Sequence, residues 1–354
     1  MSTLDNDVLL IDLPYWIYQD CFIFKPKYND SITNYIGVIK QYSKLIFSNC
    51  NDFEGSIEQI KNKYCCNNYF NSWFNKPLSN ELDSLTNLTH LTFGCCFNQP
   101  LDNTLYQLTN LTHLTFGHNF NQPLNNELYQ LRNLTHLTFG YRFDQPLNNE
   151  LYQLRNLTQI TFGYYFNQPL DNSLYQLTNL THLTFGHNFN QPLDNSLYQL
   201  TNLTHLTFGY RFDQPLNNEL YQLRNLTQIT FGYYFNQPLQ ELLYYLTKLE
   251  FLKLGHEFNH VLYLPPNIKI LALDSNNINL IDNLPNSIEQ IILNSSFNLQ
   301  LDNLPNSIKR IEFDTDSLYN NPLNNLPKSL ELLELPRNYR LEIKNIPPNC
   351  KIIY

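Results

Sequence analysis

The sequence predicts an α/β repeat solenoid: a parallel concave sheet with one short strand per turn, short convex returns, and a small N-terminal helical module. Three observations predict it. The phenylalanine that opens the block Phe-Asn-Gln-Pro-Leu, or a close variant, stands at Phe74, Phe97, Phe120, Phe143, Phe166, Phe189, Phe212, Phe235 and Phe258, always 23 residues apart. A fixed period of roughly 20 to 29 residues marks a solenoid with a strand in every turn. Within the unit, Leu111, Leu114 and Phe116 follow L-x-x-L-x-F, a spacing that sends alternate side chains of a short strand to one face. After the strand, Pro123 and Asn125-Asn126 interrupt pairing, because Pro has no backbone donor and Asn tolerates turn conformations. One such unit cannot bury its apolar face against itself, whereas stacked units share a continuous core.

The L-x-x-L-x-F spacing fits the leucine-rich-repeat template L-x-x-L-x-L. The Phe-Asn-Gln-Pro-Leu block resembles the FNIP repeat, a leucine-rich-repeat relative of amoebae and of the giant viruses that infect them. Here Gln stands at the third position, where the family name has Ile. The resemblance covers about residues 62–262.

Taken in order, residues 1–60 do not repeat and are expected to form a separate helical unit. Leu13-Pro14, Ile17, Phe22 and Phe24 resemble the opening L-P-x-x-I of an F-box, and Val38-Ile39-Lys40 through Tyr42 and Leu45 resembles its closing pattern. The spacing Ile32, Tyr35, Val38/Ile39, Tyr42 also fits one helix face. Trp16, where that family commonly has an acidic residue, and the inserted Lys25-Pro26-Lys27-Tyr28 depart from the pattern. The F-box resemblance implies that Leu13, Pro14, Ile17 and Phe22 would contact a ubiquitin-ligase adaptor. The competing reading is a plain cap over the first repeat, which a solenoid end requires. Residues 61–262 hold the 23-residue repeats, beginning with a degenerate unit in which Cys65 and Asn68 replace leucines and Phe70 aligns with Phe93. Tyr141–Leu170 and Tyr210–Leu239 are the same string offset by 69 residues, three whole periods. Residues 263–354 change dialect: Leu264-Pro265, Leu284-Pro285, Leu304-Pro305, Leu326-Pro327 and Ile346-Pro347 are spaced by 20 or 22, each followed by an apolar strand such as Ile288-x-x-Ile291-x-Leu293, with a minimal cap at the end.

Composition narrows the function. With 354 residues, 42% hydrophobic and 14% aromatic, the chain can bury a large core. A net charge of −9 argues against a nucleic-acid partner. No apolar run approaches the roughly 20 residues that span a membrane, and Met1–Asp7 lacks the basic end of a secretory signal. The expectation is a soluble, monomeric protein of the cytoplasm, the host-cell cytoplasm if the source is viral. Seven cysteines, an odd number with two adjacent doublets and no C-x-x-C pair, do not make a disulfide framework. Asn-Leu-Thr recurs from Asn87 to Asn225 and is formally a glycosylation acceptor, yet each Asn abuts a core leucine and reads as repeat chemistry.

Three constellations could carry chemistry. His90, His113, His136, His182 and His205 share one strand position. Strands about 4.8 Å apart could bring the first three to a common metal, but Gln159 and Gln228 substitute freely and no closed ligand set accompanies them, so an exposed polar ladder is expected and no metal. No phosphate loop, activated nucleophile or carboxylate pair is legible, so neither catalysis nor a cofactor is expected; Glu127, Glu150 and Glu219 read as solvated residues of the convex return. The third constellation is the pair after each repeat glycine, which varies while its surroundings do not: Cys95-Cys96, His118-Asn119, Tyr141-Arg142, Tyr164-Tyr165, His187-Asn188, Tyr210-Arg211, Tyr233-Tyr234 and His256-Glu257. Tyr and Arg are enriched at binding hot spots. Tyr141, Arg142, Tyr164, Tyr165, His187, Tyr210, Arg211, Tyr233 and Tyr234 are therefore the candidate contacts for a protein partner. The predicted function is a protein-binding solenoid, which the F-box resemblance would make the substrate-recognition subunit of a cullin-type ubiquitin ligase; the alternative is an interaction scaffold without that link.

Overall fold

The structure, a computed structural model, describes residues 13–48, 72–78, 80–124, 127–147, 151–170, 174–193, 197–216, 219–239 and 242–354. These fall into two compact units, Met1–Leu180 and Thr181–Tyr354. The degenerate repeat at Cys65, Asn68 and Phe70 lies outside the described residues.

In the first unit, β1 (Tyr15–Tyr18) and β2 (Cys21–Phe24) form an antiparallel hairpin. From β2 onward every strand pairs in parallel with the next: β3 (Lys44–Phe47), β4 (His90–Thr92), β5 (His113–Thr115), β6 (His136–Thr138) and β7 (Gln159–Thr161). Register is constant, so Leu91, Leu114, Leu137 and Ile160 lie side by side and fully inside, while the residues flanking each are half-buried. The second unit repeats the scheme with β8 (His182–Thr184), β9 (His205–Thr207), β10 (Gln228–Thr230), β11 (Phe251–Leu254), β12 (Ile270–Leu273), β13 (Gln290–Leu293), β14 (Arg310–Phe313), β15 (Leu332–Glu334) and β16 (Lys351–Ile353), all parallel. The strand expected around Ile291 and Leu293 is β13.

Constant register turns each repeated side chain into a ladder. Phe116 stacks on Phe139 at 5.8 Å and Phe120 on Phe143 at 6.1 Å, while Phe116 and Phe120 stack within one turn at 4.3 Å. The Asn and Gln of the Phe-Asn-Gln-Pro-Leu block form a second ladder. Asn121 N donates to Asn98 Oδ1 at 2.8 Å, and Gln122 Nε2 reaches back to the same residue's carbonyl at 3.1 Å. One turn on, Asp144 N donates to Asn121 Oδ1 and Gln145 Nε2 to the Asn121 carbonyl at 3.2 Å. This explains Gln at the third position, since its amide satisfies a backbone carbonyl that an Ile could not. A third ladder uses the Asn of Asn-Leu-Thr: Asn110 Nδ2 donates to Thr86 O and Asn133 Nδ2 to Thr109 O, both at 2.9 Å. The atom a glycan would need is thus a structural donor.

The repeat glycine is required by close approach of consecutive turns. A Cβ on Gly140 would fall inside the van der Waals radius of the Gly117 carbonyl oxygen, and one on Gly117 would meet Gly94 in the same way. In the shorter repeats Asp274, Asn294 and Asp314 take this position, their N–H groups bond Leu254, Leu273 and Leu293 carbonyls, and strands β12 to β14 run to four residues instead of three.

Two expectations need correction. The stretch read as the opening of a helical module is the β1–β2 hairpin. Its Tyr-Trp-Ile-Tyr and Cys-Phe-Ile-Phe runs are aromatic and β-branched, which favours strand, and Gln19 turns the chain at φ 50. Among the described residues of this stretch, helix is a 3-10 turn at Ile32–Tyr35, capped by Ser31, and one α turn at Ile36–Ile39; Leu45 then sits on β3. Glu127, read as solvated, is 3% exposed. Its carboxylate accepts from the backbone N–H groups of Asn103 and Leu105 in the preceding turn, where Asp102 and Asn103 hold positive φ. Glu150 lies outside the described residues.

Candidate protein-interaction surface

The variable pair leaves the strand immediately after the glycine, and its two members behave differently. The first members stack in the direction of the sheet hydrogen bonds. In the first unit the His118 and Tyr141 rings lie 4.5 Å apart at 7°, and Tyr141 and Tyr164 lie 4.5 Å apart at 18°. In the second unit the row runs His187, Tyr210, Tyr233, His256 at 4.5, 4.9 and 4.7 Å. Stacking leaves these rings half-buried with their edges outward, except Tyr210, which is exposed. Partial burial, then Tyr210 and the Glu257 carboxylate, raise the Tyr233 hydroxyl above its ordinary value, so it stays a neutral donor at neutral pH.

The second members hold the backbone and release the side chain. Arg142 N donates to His118 O at 2.9 Å and Tyr165 N to Tyr141 O at 3.0 Å; Arg211 N and Tyr234 N repeat this on His187 and Tyr210. With the main chain fixed in this way, Arg142, Tyr165, Arg211 and Tyr234 all point outward and are exposed. The buried ladder that some leucine-rich repeats build at this position is absent among these four residues. Instead Tyr165 stands edge-on to Tyr141 and Tyr164, each at 5.2 Å. His118 and His187 close onto their own neighbours, each Nδ1 donating to the adjacent Asn Oδ1 at 2.9 and 3.0 Å.

The strand histidines are a ladder of a different kind. His90, His113 and His136 stack at 4.0 and 4.1 Å with planes within 11° of parallel. Thr112 Oγ1 donates its single proton to Thr89 O and so accepts from His113 Nδ1 at 2.9 Å, which fixes the Nδ1–H tautomer. Parallel rings cannot aim their lone pairs at one ion. Among the described residues no group of three His, Cys, Asp or Glu is arranged to hold a metal.

Sequence reasoning missed two surfaces. Tyr106, Tyr129, Tyr152, Tyr175 and Tyr198 recur every 23 residues on the return side and are 41–47% exposed, a signal that the period alone contained. In the second unit a polar groove of about 770 Å³ runs past Glu250, Lys269, Glu289 and Lys309. These charges alternate from turn to turn and satisfy one another, Lys269 Nζ on Glu250 at 2.6 Å and Lys309 Nζ on Glu289 at 2.8 Å. At the N-terminus, Phe22 is fully buried between Tyr15 and Phe24, at 4.5 and 5.0 Å, and Leu13 and Pro14 are half-buried; of the four candidate adaptor contacts only Ile17 is exposed, at 42%. No helix among the described residues is long and apolar enough to cross a membrane.

Comparison with known proteins supports the repeat fold. The FNIP Repeat family model matches residues 276–316. Among solved structures the chain is similar to CroV588, a circular leucine-rich-repeat protein of the giant virus CroV, with 26% identity and a TM-score of 0.61 over 96% of this chain. The match covers 60% of CroV588. An internalin, inlF, from Listeria monocytogenes shares the fold at 15% identity and a TM-score of 0.53, over 94% of this chain and 86% of that one. No curated protein matches the chain by sequence.

Proposed function

The chain carries an FNIP repeat within a leucine-rich-repeat type solenoid, and we propose that it is a non-enzymatic scaffold that binds another protein through the pair following each repeat glycine. The observation that supports this is the pre-stacked row of Tyr141 and Tyr164, repeated by Tyr210 and Tyr233, with outward-facing Arg142, Tyr165, Arg211 and Tyr234 beside it. Rings already held in place lose little conformational entropy on binding, and Tyr and Arg lead the residue types that carry interface energy. His187 contributes as the stacking partner of Tyr210. The experiment identifies partners by proximity labelling and titrates them against the Tyr141→Ala/Tyr164→Ala variant. Binding should weaken by at least about 2 kcal/mol when titrated well below the variant's own melting temperature, which the lost ring stacks also lower; undiminished binding would move the interface elsewhere.

A second reading couples residues 1–60 to a ubiquitin-ligase adaptor. The feature in its favour is the exposed Ile17 next to Leu13-Pro14, and the hairpin at Tyr15–Phe24 counts against a helical adaptor module, so we place it second. Capture of an adaptor by the full chain, lost in Ile17→Asp, would promote it; no capture would remove it.

A further inference from the structure

We infer that the chain carries two equivalent docking sites, one in each compact unit, and that each takes an acidic peptide segment of the partner; this rests on the interaction surface proposed above. What carries it is duplication of geometry as well as of sequence. Tyr165 stands edge-on to Tyr141 at 5.2 Å and 87° and to Tyr164 at 5.2 Å and 76°. Tyr234 stands edge-on to Tyr210 at 5.3 Å and 90° and to Tyr233 at 5.1 Å and 74°. The same thirty-residue string builds both sets, and the preceding turns, His118-Asn119 and His187-Asn188, are also identical.

The class of ligand follows from charge. On the rung before Tyr165 stands Arg142, and on the rung before Tyr234 stands Arg211. Both are exposed, and no carboxylate among the described residues pairs with either. The chain has 31 Asp and Glu against 22 Lys and Arg, so carboxylates are not scarce; elsewhere Arg310 does pair with Glu312 at 2.7 Å. A guanidinium presents a planar fork that matches a carboxylate in two hydrogen bonds. The neighbouring turn lies about 4.8 Å away, so the residue beside the bound acid meets the tyrosine ring, which favours an aromatic side chain there. An acidic side chain flanked by an aromatic residue fits both features, and the duplication gives two such contacts per chain.

The test uses a short fluorescein-labelled peptide of alternating Glu and Tyr, with a Gln/Tyr peptide of the same length as control, titrated against the full chain by anisotropy and calorimetry. The expected result is two equivalents bound per chain, with the Gln peptide at least about tenfold weaker, the loss set by removing a charged hydrogen-bond acceptor. Arg142→Gln and Arg211→Gln should each leave one equivalent, and the double variant none, with melting temperatures unchanged. Equal binding of the two peptides, or retained binding in the double variant, overturns the inference. One equivalent in the unaltered chain overturns the duplication, and if it is lost in Tyr141→Ala/Tyr164→Ala the interaction surface itself stands. An acidic probe that does not bind at all overturns the ligand class and leaves the tyrosine surface to its own partner titration.

Discussion

Phe162→Ala should be among the most damaging single substitutions in the first unit, and Thr161→Ala, one residue earlier, among the mildest. Phe162 is 3% exposed and stacks on Phe139 at 5.6 Å and on Phe166 at 4.5 Å. Truncating a buried aromatic costs about 3–5 kcal/mol. Each well-placed ring pair adds roughly 0.5–1.5 kcal/mol beyond area, and both of these stacks go with the ring, so the upper end, about 4–5 kcal/mol, is expected. Thr161 flanks the buried Ile160 on the opposite face of β7 and is half-buried; its loss should cost within about 1 kcal/mol, near the range of surface changes. Urea titrations followed by circular dichroism give the Thr161→Ala value from the shift in midpoint at constant slope and the Phe162→Ala value from the earlier step of its unfolding curve. Because a solenoid is stabilised turn against turn, Phe162→Ala should also split the transition before it lowers the whole of it. Equal destabilisation by the two variants would mean that inner and outer faces have been exchanged, and every ladder argued above would lose its register.

Gly140→Ala should destabilise more than an ordinary overpacking change of about 1–3 kcal/mol, because the atom met is the Gly117 backbone carbonyl and not a side chain that can swing away; a melting temperature within error of the parent would contradict the close approach. In the second unit, the hydrogen bond from Lys309 and then its charge lower the Glu289 carboxyl below its ordinary 4.5, so its contribution is present above that value and lost as pH falls through the folded-state value. The hydrogen bond and charge of Glu289 raise Lys309 above 10.5, so that contribution is present below 10.5 and lost as pH rises through the folded value. These pairs are exposed and the effect is small and screened by salt, but Glu289→Gln should flatten the acid side of a melting-temperature profile, and an unchanged profile would count against the ladder. Deleting Tyr141–Gly209, three whole repeats, should leave a folded, shorter protein with a cooperative melt; a random-coil spectrum would refute interchangeable turns.

What was legible in the sequence is what repeats. The strands from β4 to β10, the inward Leu and Phe positions and the stacking of the histidines all follow from one period and one alternation, because constant register puts like residues side by side. What was illegible depends on partners one turn away or on sequence that does not repeat. Glu127 was read beside its Asn neighbours, but the N–H groups that draw it inside belong to Asn103 and Leu105. The spacing Ile32 to Tyr42 does contain helix, yet only as far as Ile39; the parallel pairing of β3 with β2 and β4 claims Lys44–Phe47. The outward turn of Arg142 was an open choice in the sequence and is decided by its N–H bonding the His118 carbonyl.

The ladders also explain why the variable pair can vary. Leu, Phe, Asn, Thr and Gly positions each contact their own copies in neighbouring turns and Gln contacts the Asn of the turn before, so a change in one turn breaks contacts in its neighbours. The first member of the pair is only partly released from this rule. It must still accept a ring above and below, and from His118 to His256 it is always His or Tyr. The second member is held to the neighbouring turn by its backbone N–H, while its side chain varies in what it gives the row, an edge contact from Tyr165 and Tyr234 or an acceptor from Asn119 and Asn188, and there Asn, Arg, Tyr and Glu all occur. On the proposed reading, platform and selectivity are divided between adjacent residues: the stacked row would supply rigid area, and the exposed row would choose the partner. Exchanging Arg142 and Arg211 for Glu should accordingly switch preference from the acidic Glu/Tyr peptide to a basic Lys/Tyr one without moving the melting temperature. A variant that loses the first preference without gaining the second would show that the row does more than present charge.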